Sequence, residues 1–236
     1  AYARKDRRTK DRDPVTLRYV AQLIEAVGTD HVIGLDAHNL AAFECAFRCP
    51  LDHLEAAPLL ADYLAAGPGD ARVCIVSPDI GGAKRAQRVR EILESRTGRE
   101  VGFAIIEKRR SSGVVSGGEE VIGPVAGSRA VIVDDLISAG TTLMRGVKAC
   151  RAAGAAQVDA FATHGVFEPE SAQLLGTDGP DRLIVTDSIL PTRIGGHDTA
   201  RSPVVLPVSQ LFAEAIRRIC AGESVVALRE LQPKRR

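Results

Sequence analysis

From Val15 to Gly28 the chain reads VTLRYVAQLIEAVG, with apolar side chains at Leu17, Val20, Ile24 and Val27 and then a glycine. That is the three-and-four spacing of an amphipathic helix, followed by its stop. Further along, short runs rich in β-branched residues alternate with such helical stretches. HVIGLD, RVCIVS, VGFAII, AVIVDD, QVDAFAT and RLIVTD are the candidate strands; AAPLLADYL, AKRAQRVREILES, TLMRGVKACRAAG and VSQLFAEAIRRICAG are the candidate helices. Strands apolar on both faces and separated by helices belong in a parallel sheet covered on both sides, so the expected fold class is α/β. Ser and Gly concentrate between Arg109 and Gly127. This predicts a first lobe over residues 1–108 and a second over 109–236, with the last helix free to pack back onto the first.

The run AVIVDDLISAGTTL, Ala130 to Leu143, places Asp134 and Asp135 where a strand should end and follows them with small residues and a helix. Ligands of open α/β sheets bind at the carboxyl ends of strands. Exposed N–H groups at the start of the next helix attract an anion. A carboxylate pair beside an anion site suits one ligand with both ends, a sugar phosphate whose diol faces the acids. An ordinary strand-to-helix turn, with Asp135 and Ser138 acting only as caps, remains open.

Composition narrows the setting. In 236 residues, 31 Lys and Arg nearly balance 30 Asp and Glu, for a net charge of +1. That excludes the global field which holds nucleic acid or anionic lipid. No apolar run approaches the roughly 20 residues of a membrane span, and the N-terminus lacks a signal-peptide pattern. The cysteines at 45, 49, 74, 150 and 220 have no CxxC metal spacing, which favours reduced thiols and a cytoplasmic chain. The first residue is Ala, so a piece of a longer protein is expected.

VIVDDLISAGTT resembles the ribose-5-phosphate loop of type I phosphoribosyltransferases and ribose-phosphate pyrophosphokinases. YARKDRR, LDAH, SPDIGG, EKRR, ATHGVF and LFAEAIRRICAGESV follow in the order and spacing of the ribose-phosphate pyrophosphokinases (phosphoribosyl-diphosphate synthetases), over nearly the whole chain. The resemblance implies two tandem type I phosphoribosyltransferase-like lobes, the first lacking its N-terminal part. It also implies a Mg²⁺-dependent transfer of the diphosphoryl group of ATP to ribose 5-phosphate, giving phosphoribosyl diphosphate and AMP. Arg4 and Lys5 would bind ATP. His38, Asp79 and Asp36 would face the metal, and Lys108 and Arg110 would be catalytic, on a Ser/Gly-rich segment that reads as a lid. Arg110, Asp134, Asp135, Ser138, Ala139, Gly140, Thr141 and Thr142 would hold ribose 5-phosphate. Such proteins assemble as homodimers and larger rings, commonly hexamers.

Two stretches depart from the family pattern. NLAAFECAF follows His38 where a glutamine-rich run is usual, and DDLISAGTT is one residue shorter than DDxxDTxGT, closer to a transferase. A phosphoribosyltransferase and a non-catalytic synthetase-associated regulatory subunit are therefore the competing readings.

Overall fold

The computed structural model describes residues 4–67, 72–111, 114–190, 194 and 202–229, with side chains described outside 108–118. The elements in chain order are α1 (Thr16–Ala26), β1 (Val32–Leu35), α2 (Leu40–Ala46), β2 (Leu51–Leu54), α3 (Ala57–Ala65), β3 (Val73–Ser77), α4 (Ala83–Thr97), β4 (Gly102–Ser111) and β5 (Val114–Ile122). They continue with β6 (Arg129–Ile137), α5 (Thr141–Ala152), β7 (Gln157–Gly165), a 3₁₀ turn (Pro169–Leu175), β8 (Arg182–Thr186), β9 (Val204–Leu206), α6 (Ser209–Cys220) and α7 (Val226–Arg229). All six strands and all five helices legible from periodicity are present.

One seven-stranded sheet runs in the order β5-β4-β3-β6-β7-β8-β9. Only β5 is antiparallel, against β4; every other neighbouring pair is parallel. The strands read as nearly unbroken apolar runs because both faces are covered. One face packs on α5 through Leu143, Val147 and Cys150. The other packs on α3 and α4 through Leu60, Leu64, Val89 and Leu93. From β3 the chain leaves to β4 on one side and later returns as β6 on the other, so the strand order reverses between β3 and β6. A crevice opens beyond the carboxyl ends at such a switch point.

The boundary expected at 108/109 lies inside β4, and the same sheet continues on both sides of it. The Ser/Gly-rich stretch misled because Val114, Val115, Val121 and Ile122 supply enough β-branched residues for a strand. The segment expected to serve as a lid is, in its described backbone, an antiparallel hairpin with a register shift between Lys108 and Arg110. The separate unit is a small parallel sheet of β1 and β2. Two short strands are marginal alone. Leu54 of this unit is buried with Leu211 and Ala215 of α6 and with Val225 and Leu228 beyond it, so the last helix returns to the first part of the chain.

Candidate functional site

A cleft of about 1180 Å³ opens at the switch point. Arg4 and Lys5 line it from the N-terminal segment, His38 from the loop after β1, Asp79 from the loop after β3, Arg85 from the first turn of α4, and Asp134, Asp135 and Ser138 from the end of β6. Asp79, Asp134 and Asp135 share one wall because the parallel strands β3 and β6 present their carboxyl ends at the same edge, and Arg4 and Lys5 reach it from outside the sheet.

Asp134 and Asp135 do not end β6, as the sequence suggested; the strand runs on to Ile137 in register with β7. Successive residues on a strand face opposite ways. Accordingly Asp135 is buried, with a side chain 5% exposed, while Asp134 keeps 20%. His38 Nδ1 donates to Asp135 Oδ2 at 2.7 Å. Arg85 Nη1 lies 3.6 Å from a carboxylate oxygen of each acid. Burial pushes the Asp134 carboxyl up to about 7, helped by the neighbouring Asp135 carboxylate. Burial would raise Asp135 too, but the His38 hydrogen bond and the Arg85 charge hold it below the usual carboxylate range. The same bond raises His38, against the opposing effects of burial and of Arg4. Two adjacent acids are thereby divided into one kept ionised and one kept close to neutrality.

Asp79 Oδ1 accepts from Gly82 N at 2.9 Å, closing the turn into α4. It lines both the large cleft and a neighbouring cavity of about 630 Å³, which Thr142 and Arg145 share. Between the two, the loop 138–140 leads into α5. Gly140 adopts φ 79° and α5 has no side-chain cap, so neither Asp135 nor Ser138 caps the helix as the plain-turn reading supposed. The first N–H groups of α5 are left for a ligand. Ser138 Oγ donates to Glu168, and Ala139 O accepts from Gln173 Nε2 at 3.4 Å, which ties the loop to the 3₁₀ turn. Thr141 opens the helix.

Asp36 touches the cleft, but its Oδ2 accepts from Ala56 N at 3.1 Å and from Thr163 Oγ1. Lys108 and Arg110 lie on β4 by their backbone; their side chains fall outside the described residues. Arg85 was missed in sequence. It lies in the first turn of a helix that follows a Gly-Gly turn, which is the signal that could have found it.

Among the described residues there is no cluster of three or more His, Cys, Asp and Glu arranged to hold a metal, and no helix is long and apolar enough to cross a membrane. His38 spends Nδ1 on Asp135 and Asp79 spends Oδ1 on Gly82, so each keeps an atom with which it could meet a hydrated ion. Two such groups fit Mg²⁺, which takes few protein ligands and completes its shell with water and phosphate.

The family described as phosphoribosyl synthetase-associated domain matches residues 115–229. A ribose-phosphate pyrophosphokinase of Hyphomonas neptunium is 35% identical over 96% of this chain and 70% of its own length. Another, from Pasteurella multocida, is 37% identical over 96% of this chain and 70% of its length. Among solved structures, phosphoribosylpyrophosphate synthetase from Mycobacterium smegmatis superposes with a TM-score of 0.77 at 30% identity, over 94% of this chain and 69% of that one.

Proposed function

From the premise that the chain belongs to the ribose-phosphate pyrophosphokinase family, we propose that its cleft transfers the diphosphoryl group of ATP to the C1 hydroxyl of ribose 5-phosphate. The hydroxyl oxygen gives up its proton to solvent and bonds to the β-phosphorus, the bond from the β-phosphorus to the oxygen bridging the α-phosphate breaks, and AMP leaves as phosphoribosyl diphosphate forms. The observation that carries this reading is the meeting, in one cleft, of the Asp134–Asp135 pair with Arg4, Lys5, His38 and Asp79.

Ribose 5-phosphate lies with its diol on Asp134 and its phosphate over the uncapped start of α5, where Ser138 to Thr142 offer N–H groups and hydroxyls. Arg4 takes the ATP phosphates as a forked cation and Lys5 as a point cation. Lys108 and Arg110, from β4, act on charge that develops in the transition state. Arg85 offsets the two acids, so that an anionic donor meets less repulsion at the cleft. His38 and Asp79 would hold Mg²⁺, which when bound supplies neutralisation of phosphate oxygens during in-line transfer. The chain comprises the end of one phosphoribosyltransferase-like lobe and the whole sheet of a second. It acts in the cytoplasm, consistent with free thiols at all five cysteines. We place it in a homo-oligomer, for which the exposed Tyr19 and Leu23 on α1, with Val27 just beyond its end, offer an apolar face.

Formation of AMP from ATP and ribose 5-phosphate tests the reading directly. Asp134→Asn is expected to lower kcat/KM for ribose 5-phosphate by about 100-fold while changing ATP-analogue affinity only a few-fold. Equal loss for both ligands, or no AMP from the unaltered chain with Mg²⁺ present, would overturn it in favour of a non-catalytic relative.

A further inference from the structure

We propose that Asp36 and Thr163 form a positioning pair that sets His38 on Asp135, and that Asp36 is not a metal ligand. The proposal rests on the cleft being the diphosphoryl-transfer site, and it explains how one loop is held there. Asp36 adopts φ 41°, one of the few left-handed conformations at a non-glycine residue among the described residues. Such a backbone persists only where its surroundings impose it.

The surroundings are specific. Asp36 N donates to Leu54 O at 3.0 Å, and Ala37 N donates to His53 Nε2 at 3.1 Å. Asp36 Oδ2 accepts from both Ala56 N and Thr163 Oγ1, so the oxygen's lone pairs are directed into the junction between the small sheet and the large one. Thr163 is fully buried. On the neighbouring strand, Asp134 pairs with Ala162 and Leu136 with His164, which puts Asp135 beside Thr163. The loop after β1 therefore bridges two adjacent strands with two side chains spaced two residues apart: Asp36 bonds to Thr163 on β7, and His38 to Asp135 on β6. Adjacent strands lie about 4.8 Å apart, a span that two side chains at positions i and i+2 can match. The left-handed turn at Asp36 is what aims them in the same direction. His164 adds a third tie, with Nε2 donating to Leu35 O at 3.0 Å.

The test compares Thr163→Val, which keeps the shape and loses the hydroxyl, with Thr163→Ser, which keeps the hydroxyl. In the metal-free protein, the ¹⁵N signal of the His38 Nδ1–H reports its bond to Asp135 whether or not the enzyme turns over. Thr163→Val should shift that signal and lower kcat by about tenfold, with KM for ribose 5-phosphate and ATP within about threefold. Thr163→Ser should restore both. Asp36→Asn, which keeps an acceptor oxygen, should retain the His38 signal. An unchanged His38 signal in Thr163→Val, failure of Thr163→Ser to restore it, or its loss in Asp36→Asn would each overturn the pairing. Absence of AMP formation in the unaltered chain would instead count against the functional reading, while the His38 signal would still decide the positioning role.

Discussion

At the scale of single residues, the site is an exercise in charge division between neighbours. Unfolded, Asp134 ionises near 3.8; folded, burial moves it to about 7. Between those values the folded chain holds a proton that the unfolded chain has lost, so stability falls as pH rises. His38 acts in the same direction at higher pH, because its stabilisation is complete below the ordinary histidine value and disappears as pH passes the raised one. Asp135, held low, contributes above the usual carboxylate range and loses that contribution only in acid. The melting temperature of the ligand-free chain is therefore expected to fall from about pH 5 to about pH 8, by roughly 2–4 °C for each kcal/mol the Asp134 charge costs. Asp134→Asn should flatten the fall below neutrality. Thermal melts across that range check it; a rising curve would place the acids in solvent.

At the scale of elements, the turn from β6 into α5 carries two demands that sequence alone could not separate. Gly140 looked like the place where backbone approaches a phosphate. In the fold it is also forced: φ is 79°, and a Cβ there would stand 2.7 Å from Leu174 Cδ1. Gly140→Ala should therefore cost stability by about 1–3 kcal/mol with or without ligand. Thr141→Ala should leave the melting temperature nearly unchanged yet weaken ribose 5-phosphate several-fold, since one hydroxyl hydrogen bond contributes about 1 kcal/mol. Paired melts and titration calorimetry separate the two effects. If Thr141→Ala leaves affinity untouched, the start of α5 does not hold the phosphate.

At the scale of the whole molecule, the loop with His38 depends on a helix almost 180 residues later. The β1–β2 unit has little core of its own, and α6 supplies it: Leu211 is 6% and Ala215 0% exposed against Leu54. Removing a buried leucine side chain typically costs 2–5 kcal/mol, so Leu211→Ala should destabilise the chain by about that amount. Denaturant unfolding measures the loss, and hydrogen exchange locates it; protection should weaken first in 32–54. Unaltered protection there would mean that the small sheet stands without α6.

The sequence by itself determined the α/β class, the six alternating strands, and the concentration of candidate chemistry at strand ends, because burial periodicity is a local property of the chain. Asp134, Asp135, His38 and Asp79 were all legible as residues that follow or end apolar runs. Partners were not. That Asp135 belongs to His38 and Arg85, that Asp36 belongs to Thr163, and that β4 and β5 form a hairpin across the expected lobe boundary were decided by tertiary structure. Strand order and register bring residues together at distances unrelated to their spacing in sequence, and a carboxylate's charge state follows from what that assembly excludes and supplies.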